Sequence, residues 1–325
     1  MSEPARPQRV SLLGRQLTVL VSTFYRLLPG RLSDAAAAVT ARLLYWKGHA
    51  LHSQVLQDFR DNVDPTAQFS SRTWHPVRAM YRAVVRNAAD GIWFVTAKHA
   101  AVLRRFRLAD TGPIANALEV GRQSGVGVIV AFPHLGSYAA LPVVLAINGV
   151  PTTVVANRQP GLMQWVIDRG ARKAGLELVA VDREKGASIT AELEAAIRRG
   201  RVVVIAGDYF RPRDEASTGV EVNLGGTRRT VGAGPALLAL RTGAPIVPGT
   251  VLQDGSHREP VLGQPIYAGG PLGRDDPLLG ELVQVTSQRI ADAMGQFIKR
   301  APDQWVMPGG LVSNSMGRRA RHHAA

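Results

Sequence analysis

No cysteine occurs among the 325 residues, so disulfides, thiolate nucleophiles and cysteine-based metal sites are all excluded. That absence is compatible with the cytoplasm. No apolar run approaches the ~20 residues that a bilayer-spanning helix needs, and any membrane contact is therefore expected to be peripheral. The amino terminus makes a poor secretory signal, because Arg15 interrupts what would be its apolar core. No repeat period is visible. Gly125 and Gly127 open no dinucleotide fingerprint, since no G-x-G-x-x-G leads into a helix. His75, His99 and His257 lack metal-ligand spacing, and no metal is expected. Acidic side chains are also scarce: 25 Asp plus Glu stand against 39 Lys plus Arg, a formal charge of +14. Such an excess favours anionic partners, although arginine used simply as a solubilising surface residue explains it as well. Nucleic acid is the least attractive of those partners, because the basic residues are scattered and no zinc-finger spacing, RNP-type strand or helix-turn-helix occurs.

What is present points to a packed α/β protein. Hydrophobic residues make up 46% of the chain, enough for a sizeable core. Val126 to Phe132 is a short apolar run rich in β-branched residues, the pattern of a strand buried on both faces. A polar break holding Pro133, His134, Gly136 and Ser137 follows at once, and Tyr138 to Ile147 continues as a helix started near Pro142. His134 thus sits at the carboxyl end of a strand, where open α/β sheets bind ligands. Downstream, strands at Thr152 to Ala156, Leu176 to Val181 and Val202 to Ala206 alternate with helices at Leu162 to Lys173 and Ile189 to Arg199. A helix from about Gly234 to Arg241, strands at Ile246 to Leu252 and Val261 to Ile266, and a helix from Glu281 to Lys299 complete the series. The succession predicts βαβ units: a mostly parallel central sheet flanked by helices, preceded by a helical amino-terminal region.

Three regions follow. Residues 1–110 read as a helical lead-in, 111–308 as the α/β domain, and 309–325 as a basic flexible tail with Arg318, Arg319 and Arg321. Within the lead-in, Leu13, Leu17, Leu20, Phe24 and Leu27 recur at helical spacing until Pro29 and Gly30. Such an amphipathic helix over residues 10–28 either lies in a membrane interface or packs on the protein's own core.

Several stretches in this order resemble the lysophospholipid acyltransferase superfamily, in the branch of lipid A and phosphatidylinositol mannoside acyltransferases. FPHLGSY at 132–138 resembles its strand-end His with a small residue and an aromatic, and VVANRQPGLMQWVIDRG at 154–170 its strand, Arg-containing turn and helix. GRVVVIAGDYF at 200–210 is similar to its strand ending in Asp-Tyr, GAGPALLALRTGAPIVP at 232–248 to the next helix and strand, and APDQWV at 301–306 to its closing segment.

The resemblance implies an acyltransferase of lipid biosynthesis. Its donor would be a thioester of coenzyme A or acyl carrier protein, its acceptor a lipid or other small molecule bearing a hydroxyl or an amine, with no further cofactor. His134 would be the general base. Gly136, Ser137 and Tyr138 would contact substrate beside it, and Arg158 would meet an acceptor phosphate or carboxylate unless it is simply a surface residue in a turn. An anionic membrane surface, at the inner face of the cell membrane, would be the place of work. In the family a carboxylate normally lies five residues after the His, yet here that position is Ala139. Either a distant acid substitutes, with Asp208 at a strand end ahead of Asp182, or the acceptor is an amine that asks less of its base, or transfer is lost and the protein only binds lipid or acyl chains. Finally, Arg228, Arg229 and Thr230 precede the helix near Gly234, a place suited to cradling an anion at a helix amino terminus, although simple solvent exposure explains them nearly as well.

Overall fold

A computed structural model describes residues 11–28, 30–47, 74–159, 161–181, 186–208, 219–254 and 257–306. Its centre is a six-stranded sheet. Strands β1 (Val128–Phe132), β2 (Thr152–Asn157), β3 (Glu177–Val181) and β4 (Val202–Ala206) come first in the chain, followed by a separate hairpin of β5 (Gly219–Leu224) and β6 (Thr227–Gly232), then β7 (Ile246–Asp254) and β8 (His257–Leu262). The order across the main sheet is β3-β2-β4-β1-β7-β8, all parallel except β8, which returns antiparallel along β7. The α/β class expected from the alternation is the one observed.

The continuous apolar runs are explained by helices on both faces. Along β1, Ile129 and Ala131 enter one core, while Val128, Val130 and Phe132 enter the other. The first core is closed by α8 (Gly186–Arg198), α9 (Gly234–Thr242) and α10 (Leu279–Arg300), which contribute Leu193, Ile197, Leu240, Ile290 and Met294. The second is closed by α3 (Trp74–Phe94), α4 (His99–Arg105), α5 (Gly112–Gln123), α6 (Leu141–Ile147) and α7 (Gly161–Ala174). Each such aliphatic side chain removed from water is worth about 1.5–3 kcal/mol, so the two cores fix which face each residue takes. Because Trp93, Phe94 and Val102 belong to the second core, the helical lead-in shares the sheet's interior.

Two places differ from expectation. The strand expected over Val261 to Ile266 runs instead from His257 to Leu262, and Ile266 makes a single bridge to Ile246. Arg258 and Pro260, both buried, hid it: a buried charge breaks the apolar alternation, and proline is tolerated because β8 is an edge strand. The β5–β6 hairpin was not expected at all. Its GVEVNL alternation buries Val220, Val222 and Leu224, and Gly225 and Gly226 make the turn with φ of 68° and 100°, values that favour glycine.

The amino-terminal helices are inverted. In α1 (Leu12–Leu27) the polar side faces the protein: Ser22 is fully buried and its hydroxyl donates to the Ile92 carbonyl at 2.8 Å. Leu13, Leu17, Leu20, Phe24 and Leu27 point outward, with Leu13 75% exposed. In α2 (Gly30–Lys47), Ser33, Ala37 and Ala41 face inward while Leu32, Val39, Leu43 and Leu44 are exposed. The apolar side of the expected amphipathic helix therefore does not pack on the protein's own core. Among the described residues no helix is long and apolar enough to cross a membrane. The basic tail at 309–325 and Asp182 lie outside the described residues.

Candidate active site

The site follows from strand register. Parallel pairing sets Phe132 beside Ala206 at the carboxyl ends of β1 and β4, and two residues further along each chain lie His134 and Asp208. The loop is locked there by the Gly207 amide donating to the Phe132 carbonyl at 2.9 Å and the His134 amide donating to Asp208 Oδ2 at 2.8 Å. The imidazole Nδ1 lies 2.8 Å from Asp208 Oδ1. A third donor comes from near the end of the chain: the indole of Trp305, itself fully buried, donates Nε1–H to Asp208 Oδ2 at 2.9 Å.

Three donors on one enclosed carboxylate decide its charge. Burial alone pulls the Asp208 pKa upward, but the charge and hydrogen bonds of His134, with the indole N–H of Trp305, outweigh it and hold the group below its ordinary value. Asp208 is thus an ionised acceptor, so Nδ1 of His134 must carry the proton and Nε2 presents its lone pair. Nε2 makes no hydrogen bond among the described residues, and 21% of the side chain remains exposed. The ring is walled by Tyr138, edge-on at 4.8 Å between centroids, and by Phe132 at 5.7 Å. Burial, then the charge of Asp208, pushes the Tyr138 phenol up to about 12, only partly offset by its hydrogen bond to Asn87.

Ala139 is exposed on the 3-10 turn Tyr138–Ala140, its amide donating to Asn87 Oδ1 at 3.1 Å, while a carboxylate from the neighbouring strand already occupies the imidazole.

The other expected site residues divide. Gly136 and Ser137, expected as substrate contacts, are buried and hold the loop itself. The Gly136 amide donates to the Gln304 carbonyl, and with φ of 63° and a would-be Cβ only 2.2 Å from the Val251 carbonyl oxygen, no other residue fits. The Ser137 amide donates to the Val251 carbonyl at 2.8 Å and its hydroxyl to Asp90 Oδ2 at 2.7 Å. Arg158 is exposed one residue beyond β2, at the same sheet end as His134 but about two strand spacings, ~10 Å, away.

Arg228, Arg229 and Thr230 lie within β6, the strand that leads into α9, so their side chains alternate. Arg228 and Thr230 are exposed, with Arg228 paired to Glu221, whereas Arg229 turns inward and stacks its guanidinium 4.4 Å over the Trp305 ring. Trp305 itself received no role from sequence. The general rule that a buried indole finds an acceptor for its N–H applies here, and the acceptor is Asp208.

The profile of the bacterial lipid A biosynthesis acyltransferase family matches residues 16–308. Among curated proteins, the chain is 29% identical over 208 residues to a phosphatidylinositol mannoside acyltransferase of Mycobacterium tuberculosis (strain ATCC 25618 / H37Rv), covering 63% of this chain and 61% of that relative. It is 25% identical over 248 residues to a protein of the same name from Mycolicibacterium smegmatis (strain ATCC 700084 / mc(2)155), covering 75% of each. The first alignment thus spans less than two thirds of the relative's length. With the family profile running from α1 to just beyond Trp305, the chain belongs to the bacterial lipid A biosynthesis acyltransferase family.

Proposed function

We propose that the protein transfers an acyl group from a thioester of coenzyme A or acyl carrier protein to a hydroxyl-bearing lipid, with His134 as general base. The observation that carries this reading is the His134–Asp208 pair, with Nε2 making no hydrogen bond among the described residues. The acceptor hydroxyl gives its proton to Nε2 as its oxygen bonds to the thioester carbonyl carbon; collapse of the tetrahedral intermediate breaks the C–S bond, and the departing sulfur takes that proton back. Asp208 keeps the imidazole in the required tautomer and stabilises the imidazolium, a role whose loss in a comparable triad costs about 10⁴ in turnover.

With the orienting acid supplied by Asp208, the case for an amine acceptor weakens, because a fully supported base meets the demand of an alcohol. The mycobacterial relatives are named for a glycolipid acceptor, which favours a lipid hydroxyl here too. Arg158, at the same sheet end, is the cation proposed to meet a phosphate or carboxylate on a substrate. The work takes place at the inner face of the cell membrane, held there by the outward apolar sides of α1 and α2 together with the net charge of +14. Leu162 and Met163, exposed at the start of α7, which α1 touches, extend that surface toward the end of β2.

The test is intact-mass detection of products after the full chain is incubated with acyl-coenzyme A or acyl-carrier-protein thioesters and a mixture of hydroxyl and amine lipids in vesicles. The expected result is an acylated hydroxyl lipid. Binding of the chain to the vesicles without any product would favour the other reading, a non-catalytic lipid- or acyl-chain-binding protein on the same scaffold.

A further inference from the structure

Behind the His134 loop runs a chain of buried and half-buried charges that the reaction above does not use. Asp90, on α3 and 1% exposed, accepts from Arg105 Nη2 at 2.9 Å, Arg258 Nε at 2.7 Å and the Ser137 hydroxyl at 2.7 Å. The Arg258 side chain is wholly enclosed, and its Nη2 lies 3.5 Å from Asp34 of α2, where Arg86 also sits at 3.3 Å. Asp90 draws the Arg258 pKa upward against the opposing effect of burial. Ser137 in turn accepts from Gln253 Nε2 at 2.9 Å. Enclosed ion pairs are a poor route to stability, since well-packed apolar residues of similar volume often do as well or better. A carboxylate held by two arginines does, however, give a rigid acceptor at one fixed point, and that point is the hydroxyl three residues after His134.

We propose that Asp90 and Ser137 are positioning residues for the reaction: the Asp90 carboxylate, neutralised by Arg258 and Arg105, anchors the Ser137 hydroxyl and thereby keeps the His134 imidazole in register with Asp208. Asp208 secures one end of the short turn through the His134 amide and ring, and Ser137 secures the other. With both ends held, Nε2 has a single direction. The chain continues to Asp34, so the tether of the catalytic loop ends on one of the two helices that present the outward apolar face. The proposal rests on His134 acting as the base.

The deciding variant is Ser137→Ala, which removes the hydroxyl and leaves the Asp90 carboxylate with both arginines. Its kcat should fall by on the order of tenfold to a hundredfold, the scale expected for a reacting group displaced by up to about 1 Å, with the thioester KM within about twofold of the unsubstituted chain. A second readout needs no substrate: the downfield proton resonance of His134 Nδ1–H, assigned by its absence in His134→Gln, should shift or broaden in Ser137→Ala. Unchanged kcat together with an unchanged resonance overturns the proposal. If the unsubstituted chain turns over no thioester, the acyltransferase reading has failed by itself, and the resonance alone decides whether Ser137 holds the ring.

Discussion

At the scale of single residues, the site depends on one carboxylate having no contact with solvent and three protein donors around it. Asp208 needs the His134 amide, the His134 ring and the Trp305 indole together, because a buried anion missing any of them would be raised toward neutrality and would cease to fix the imidazole's tautomer. The consequences for pH run in opposite directions at two neighbouring groups. Asp208 is lowered in the folded protein, so its contribution to stability is present above the ordinary carboxylate pKa and is lost as pH falls through its folded value. Tyr138 is raised to about 12 from an ordinary value of 10.0, so its contribution is intact below pH 10.0 and is lost as pH climbs through about 12. Thermal unfolding followed against pH should therefore show a decline on the alkaline side that Tyr138→Phe removes; an unaltered decline in that variant would place its cause elsewhere. Of these residues, His134 and Asp208 were legible from sequence because each stands just past a short apolar run. Trp305 was not, because nothing local connects a carboxyl-terminal indole to a loop so far back in the chain.

Among the elements, β1 and β4 show what a linear pattern conveys. Both announce themselves as strands through unbroken β-branched runs, but their adjacency is a non-local pairing, and only the register of Phe132 with Ala206 turns two strand ends into one site. Helix α1 shows the complementary limit. Its apolar period is the same whichever way that side faces, and in the structure it points away from the core, with Thr18 and Ser22 buried and the Ser22 hydroxyl bonded to the Ile92 carbonyl. This orientation carries a prediction: replacing Leu17 and Leu20 with glutamate should sharply reduce sedimentation of the protein with anionic vesicles while leaving the folded core intact, since both side chains are more than half exposed. Co-sedimentation equal to that of the unsubstituted chain would remove α1 from the membrane contact. Edge strand β8 was obscured for a different reason, the enclosed Arg258 in a position that normally reads as apolar.

Across the whole molecule, a sheet with helices on both faces presents its carboxyl ends at one rim, and that rim carries His134, Asp208 and Arg158. The helices α1 and α2 direct apolar residues away from the core, and α2 is tied through Asp34 and Arg258 to the network behind the His134 loop. Such an arrangement suits chemistry on a substrate that arrives from a lipid surface. Ala139 stands five residues after His134, and the carboxylate on the His134 ring is that of Asp208, just past the neighbouring strand. If the His134 imidazole takes the proton from the acceptor, kcat of His134→Ala beside the unsubstituted chain, with an acyl thioester and a hydroxyl lipid in vesicles, shows it directly. Transfer should fall to the uncatalysed background in a protein that still folds and still binds the vesicles. Turnover within a few-fold of the unsubstituted chain would contradict it.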